Sequence, residues 1–480
     1  MGDFWVTRLV FQRALALVYL IAFVAAANQF KPLLGERGLE PVPRFVAAVP
    51  FSRAPSLFYL APKDWAFTAG AWLGAALSAA ALLGLSERGG LALSMSVWGA
   101  LYVLYLSFVN VGQTFYGFGW ESILLEAGFY AVFLGPRSMA PPRLVIWLYR
   151  WLLFRVMFGA GLIKLRGDPC WRDLTCLDYY FETQPIPNPL SWYFHWAPQW
   201  VHHAGVLFNH FAELLLPLGY FIPGAAAAAC GALTILFQAS IMVSGNLSFL
   251  NLLTIVIAIP CLNDRWLTAL VPLAAPALRA PPGGFVAALY ALGALVAALS
   301  VGPAGNMASA GQMMNFSYNP LHLVGTYGAF GSITRRRYEI VLEGTSDAVL
   351  TPSTRWREYE FKGKPGDPAR RPPQIAPYHL RLDWLMWFAA MGSAYEHPWL
   401  VRFAGKLLRN DPSQLALLRG NPFPDAPPRF VRARLYLYAF ASPEERRKTG
   451  AWWDRELAGE YLPPLSLKTA ASPELEESLP

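Results

Sequence analysis

Apolar residues gather in long, nearly unbroken runs over the first two-thirds of the chain. The runs lie at 9–27, 65–85, 91–109, 120–134, 144–165, 200–222, 225–243, 247–262 and 285–301. A hydrocarbon core about 30 Å thick takes about 20 mostly apolar helical residues to cross, and these runs meet or approach that length. A further stretch, 266–278, is shorter and is broken by Pro272 and Pro276, which suits a re-entrant or interfacial segment. The pattern predicts eight to ten membrane spans.

Beyond about residue 302 the long runs stop. Segments 338–344, 358–363 and 430–441 are rich in strand formers. The last alternates Val431, Ala433, Leu435 and Leu437 with Arg432, Arg434, Tyr436 and Tyr438, as a strand with two unlike faces does. Trp399, Phe403 and Leu407 recur every four residues and predict a helix with one buried face. Asp411 and Pro412 form an N-cap and first-turn proline, and Gly420 is placed to end that helix. The expected organisation is a transmembrane helical domain, 1–301, with an outward loop at 167–199, then a soluble α+β domain containing a β-sheet, 302–464, and a disordered tail, 465–480.

Composition agrees with this division. Of the 480 residues, 55% are hydrophobic and 15% are charged, against about 25% charged in ordinary soluble domains. More than half of those charges fall after residue 302. The net charge of +8 does not point to nucleic acid, because no basic helix or aromatic-basic stripe accompanies it. Arg8 and Arg13 ahead of the first run imitate a signal peptide, but the run leads straight into a polytopic chain and reads as the first anchor. With the N-terminus inside, Arg88, Arg137, Arg143 and Arg265 fall in inner loops and segment 167–199 falls outside. The soluble part then lies outside if only one of the last two apolar runs spans.

Charge within a membrane run is costly and marks candidate chemistry. The candidates are Glu121, Glu126, Arg150, Arg155, Lys164, His202, His203, His210 and Glu213. His210 and Glu213, three apart, share a helix face with His203 near the same stripe. Such a stripe can hold a metal, or Glu213 can pair with a cation such as Arg155; lacking a second clear ligand set, no metal is expected. Cys170 and Cys176 enclose five residues in CWRDLTC, which is neither a redox Cys-x-x-Cys nor a complete zinc set. A structural disulfide in an outward loop is the favoured reading. The glycine-rich GQTFYGFGW (112–120) lacks a phosphate-loop ending, and no hydrolase motif is visible. No cofactor is expected.

Several words in this chain resemble the lipase maturation factors. In the C-terminal part they are EYEFKGKPG (358–366), RRP (370–372), PYHLRLDWLMWFA (377–389), YEH (395–397), NPF (421–423) and WW (452–453). Upstream they are GWESILLE (119–126), RVMFGAGLIKL (155–165), WRDLTCLDYYFET (171–183), QPIPNP (184–189) and NLSFLN (246–251). The resemblance implies a membrane protein that helps secreted lipases fold and assemble, without turnover. Animal members reside in the endoplasmic-reticulum membrane with the C-terminal part in the lumen. The many Ala, Arg and Pro residues suggest a bacterial member, for which the equivalent place is the inner membrane with a periplasmic domain. The family pattern has Cys where this chain has Gly363 and Pro373, which weakens a redox role here.

The expected partners are a secreted lipase or another exported client, and membrane lipid. Trp384, Trp387, Phe388 and Tyr395, with Arg381 and Asp383 at the rim, are candidates for an exposed client-binding patch. The competing reading of Trp384 and Trp387 is core. The alternative function is a membrane enzyme acting on a lipidic substrate through the intramembrane His, Glu, Arg and Lys residues. Its helices would be distantly like those of vitamin K-dependent carboxylase-type proteins.

Overall fold

A computed structural model describes residues 4–467. The predicted tail, 465–480, falls outside the described residues from 468 onward. Among the described residues six helices are long and apolar enough to cross a membrane. They are α1 (Trp5–Leu34), α2 (Asp64–Leu82), α3 (Gly90–Val111), α5 (Arg143–Arg166), α7 (Ala225–Ser244) and α9 (Gly283–Ala308). Three shorter apolar segments lie between them: α4 (Gly119–Ala131), α6 (Gln199–His210) and α8 (Leu250–Ala258).

Six is fewer than the eight to ten spans expected, because three of the apolar runs form helices too short to cross; two of these, α4 and α8, still link the two ends of the bundle. Glu121, at the start of α4, pairs with Arg381 of the C-terminal region, whereas Leu134 and Gly135 beyond its end accept hydrogen bonds from Arg8 and Gln12 at the start of α1. Ahead of α8, Asn246 donates to Pro373 O, and after it Asp264 accepts from the Trp5 and Thr7 amides. Proline shortens α6 and α8. Pro217 has no N–H for the carbonyl four residues back, and the helix slips into a π turn at Phe211–Leu215 before resuming at Leu216–Gly219. Pro260 ends α8 in a 3-10 turn, Ile259–Cys261. Close helix contact sets another constraint: a Cβ on Gly128 would collide with the Tyr19 hydroxyl, which donates to Leu124 O at 3.1 Å and so draws α1 onto α4.

The C-terminal region holds one antiparallel sheet in the order β2-β1-β3-β4, from β1 (Arg337–Thr345), β2 (Arg357–Glu358), β3 (Phe430–Phe440) and β4 (Trp453–Leu465). Ile340 sits opposite Leu435, and Phe440 opposite Trp453. Burial in β3 alternates as expected only at Val431 and Ala433; Leu435 and Leu437 are half-buried, and Tyr438 on the face expected to be polar is buried. The 167–199 segment explains it, since Trp192 packs there with Tyr438, Phe440 and Trp453 and donates to Ala441 O. Helices α10 (Arg381–Ala389) and α11 (Pro398–Leu407) lie between β2 and β3 in the chain, and Trp399, Phe403 and Leu407 of α11 are buried together.

The bundle and the C-terminal region share a continuous apolar core. Phe115 meets Trp399 edge-on at 5.7 Å, and Gln414 donates to Pro32 O at 2.5 Å. Cys170 and Cys176 are joined by a disulfide.

Candidate functional site

Five of the charged groups in the membrane runs, Glu121, Glu126, Arg155, Lys164 and Glu213, form three separate buried clusters. In the first, Glu121 of α4 accepts from the Tyr105 hydroxyl and lies 2.8 Å from Arg381 of α10. Arg381 also lies over the Tyr116 ring and donates to Phe115 O at 2.8 Å. Gln29 of α1 completes the joint, accepting the Arg381 amide at 2.9 Å and donating to His379 O at 2.6 Å. In the second, Glu126 binds Arg155 and accepts from Tyr130 at 2.5 Å and Tyr327 at 2.7 Å. In the third, Lys164 of α5 donates to Glu213 at 2.6 Å and to Asn209 at 2.9 Å, beneath the Trp171 ring.

The sequence pattern therefore located the charges but not their partners. Glu213 pairs with Lys164, not Arg155. The π turn carries Glu213 into the bundle, while His210 donates from Nε2 to Trp171 O, 2.9 Å away. His203 is half-buried; its neighbour His202 is buried and bonds Asp178 at 2.7 Å. Arg150 binds the Tyr220 and Pro260 carbonyls. No group of three or more His, Cys, Asp or Glu able to hold a metal occurs among the described residues.

The expected client patch is also redistributed. Arg381 and Asp383 are inside the protein, not at a rim, because Arg381 is committed to Glu121 and Asp383 accepts the Gly363 and Lys364 amides at 2.6 and 3.0 Å. Trp384 is buried against Phe118 and Trp120, and Trp387 is half-buried with its indole donating to Thr183 O. Phe388 and Tyr395 are exposed, Tyr395 at 83%.

Two of these groups of residues meet in one place. A cavity of about 750 Å³ opens at the end of the bundle that carries the C-terminal region. Its walls come from α4, α5, α6, the π turn, α7, α8 and α10, with the 167–199 segment and the chain at 314–332. Lys164, Asn209 and Glu213 supply one polar corner; Phe208, Phe237, Leu250, Trp384, Trp387 and Phe388 supply apolar wall. Gln238 and Asn251, which bond each other at 2.6 Å, supply a second polar point. Asn209, Gln238 and Asn251 carry no charge and sit in apolar runs, so a search for charges passes over them, although Asn251 closes the word NLSFLN.

Asp168, another residue outside the original candidates, ties the 167–199 segment to the chain entering the sheet. It caps the turn at Cys170 and takes two hydrogen bonds from Arg335, at 2.9 and 2.7 Å. The Arg335 guanidinium, helped by the Cys170 and Ile333 amides, holds its carboxyl down at about 2 against the cost of burial. A carboxylate with a lowered folded-state pKa adds stability above its ordinary pKa and loses it as pH falls toward the folded value. Asp168→Asn is therefore expected to lower Tm at pH 5–7, with the difference from the parent closing between about pH 4 and pH 2. Melting curves across that range test it; a pH-independent gap would contradict this electrostatic account.

A many-helix membrane bundle with a docked C-terminal sheet defines a polytopic membrane protein. The family described as the lipase maturation factor transmembrane domain matches residues 6–269, and the lipase maturation factor C-terminal domain matches residues 323–463. The chain belongs to the lipase maturation factor family. It is 47% identical to lipase maturation factor 1 of Bos taurus over 97% of this chain and 90% of that protein. Identity is 45% to lipase maturation factor 1 of Homo sapiens, over 97% and 89%. It is 29% to lipase maturation factor 2 of Homo sapiens, over 96% and 82%. No solved structure matches. These relatives give the enzyme alternative no support.

Proposed function

We propose that this protein is a membrane-embedded maturation factor for exported lipases, acting by binding a folding client without turnover. The near full-length similarity to proteins named lipase maturation factor 1 carries this reading, since it covers membrane part and C-terminal part alike. The pairing of Glu121 with Arg381, Glu126 with Arg155 and Lys164 with Glu213 supports it further, because these groups are engaged in holding elements together. We infer a bacterial inner-membrane location with the C-terminal region in the periplasm, in keeping with the disulfide of the outward loop.

For client contact the reading favours Phe388, Met391 and Tyr395, apolar side chains exposed on the C-terminal region. Co-expression with an exported lipase of the same host tests the role through the fraction of secreted lipase that is active. That fraction is expected to fall several-fold without this protein, and to fall with Met391→Ser/Tyr395→Ala while the variant keeps its own Tm. An active fraction indifferent to the protein's presence would overturn the reading.

A further inference from the structure

The cavity has a shape and chemistry of its own. Its volume of about 750 Å³ lies within the range of small-ligand pockets, about 300–1,000 Å³, which suits a lipid with one chain better than a phospholipid with two. The walls are mostly apolar and offer water few partners, whereas hydrocarbon matches them.

The entrance is apolar as well. Leu236 and Val243 on α7 and Phe388 on α10 line the cavity and are also exposed, 59%, 48% and 40% respectively. The opening is therefore framed by side chains suited to acyl chains, and α7 is a membrane-crossing helix. A ligand can enter sideways from the bilayer.

The polar corner selects the head group. Lys164 and Glu213 neutralise each other, and Asn209 bonds both through its carbonyl and its amide. A phosphate would find no spare cation there, and an ammonium no spare carboxylate. A hydroxyl or ester carbonyl can share hydrogen bonds with this trio without adding charge. The π turn at Phe211–Leu215, a departure from helix geometry that often accompanies functional sites, is what delivers Glu213 to this corner.

From these observations we propose that the cavity is a binding site for a single-chain lipid with an uncharged hydroxyl or ester head. Because Trp384, Trp387 and Phe388 form part of its wall, an occupied site would brace α10, and through Arg381 the joint between the C-terminal region and the bundle.

The test uses the full chain in phosphatidylcholine nanodiscs and a photoactivatable monoacylglycerol. Labelling is expected to saturate, to map to peptides spanning 236–254 and 384–388, and to be competed by unlabelled monoacylglycerol despite the excess phospholipid. Ala239→Trp, which fills the cavity from α7, is expected to cut labelling about tenfold, a loss equivalent to about 1.4 kcal/mol of binding, with Tm unchanged. Ser240→Trp, also on the lining, decides the matter should the first variant fail to fold. Labelling that does not saturate, that spreads over the lipid-facing helices, or that is indifferent to filling overturns the proposal. No lipase enters this measurement, so its failure leaves the maturation role standing.

Discussion

Arg381→Met, made alone, is expected to destabilise the protein by about 3–5 kcal/mol and to lower Tm in detergent by on the order of 10 °C. The substitution leaves the Glu121 carboxylate in a fully buried place with the Tyr105 hydroxyl as its remaining donor. It also removes the donor to Phe115 O and the cation over the Tyr116 ring. Both losses fall at the joint between α4 and α10, so proteolysis should begin between the bundle and the C-terminal region. Adding Glu121→Gln should restore most of the loss, because removing both charges of a buried pair costs far less than removing one. Equal destabilisation in the single and double variants would show that packing, not charge, holds the joint.

Glu339→Ala is expected to act at least as strongly, within the sheet. The carboxylate of Glu339 is fully buried and receives Arg337 at 2.5 Å and Lys364 at 2.8 Å, both of them buried too. Its removal strands two cations at once, each left without its carboxylate: Arg337 keeps the Glu182, Gln184 and Pro185 carbonyls and the Trp453 ring, Lys364 the Ile340 and Pro365 carbonyls and the Phe361 ring. A cost of about 3–5 kcal/mol or more follows, read as loss of the folded C-terminal region in pulse proteolysis. Glu339→Gln, which keeps a polar acceptor without the charge, should fall between the parent and Glu339→Ala. A Glu339→Ala protein melting within 2 °C of the parent, roughly the shift of less than 1 kcal/mol, would show that the network contributes little.

The membrane bundle was legible because bilayer thickness imposes a length that can be counted along the chain. It was less legible where proline intervenes: 200–222 reads as one apolar run, yet Pro217 turns it into α6, a π turn and a short helix. Strands β1 and β3 stood out through β-formers and alternation. Strand β4, Trp453–Leu465, did not, because it carries Gly459, Pro463 and Pro464 and draws its definition from pairing with β3. Candidate charges could be picked by their cost in lipid, but partner choice is a three-dimensional matter. Glu121 and Arg381 were both singled out, in different roles, and nothing in their spacing announces that they meet. The aromatic residues of α10 illustrate the same limit, since one helix gives Trp384 to the core, Phe388 to the cavity mouth and Trp387 to both wall and loop.

The pairing order also sets a timetable for synthesis. Arg155 follows Glu126 by 29 residues and Glu213 follows Lys164 by 49, so at about 5–20 residues per second each waits only seconds for its partner. Glu121 waits for Arg381 across about 260 residues, roughly 13–52 s at the same pace. Through that interval α4 holds a carboxylate whose cation has yet to be made, at a position costly to leave unpaired in lipid. Any nascent chain stopped before residue 381 would retain that exposed liability, a mark by which a cell's quality control can tell an unfinished bundle from a finished one.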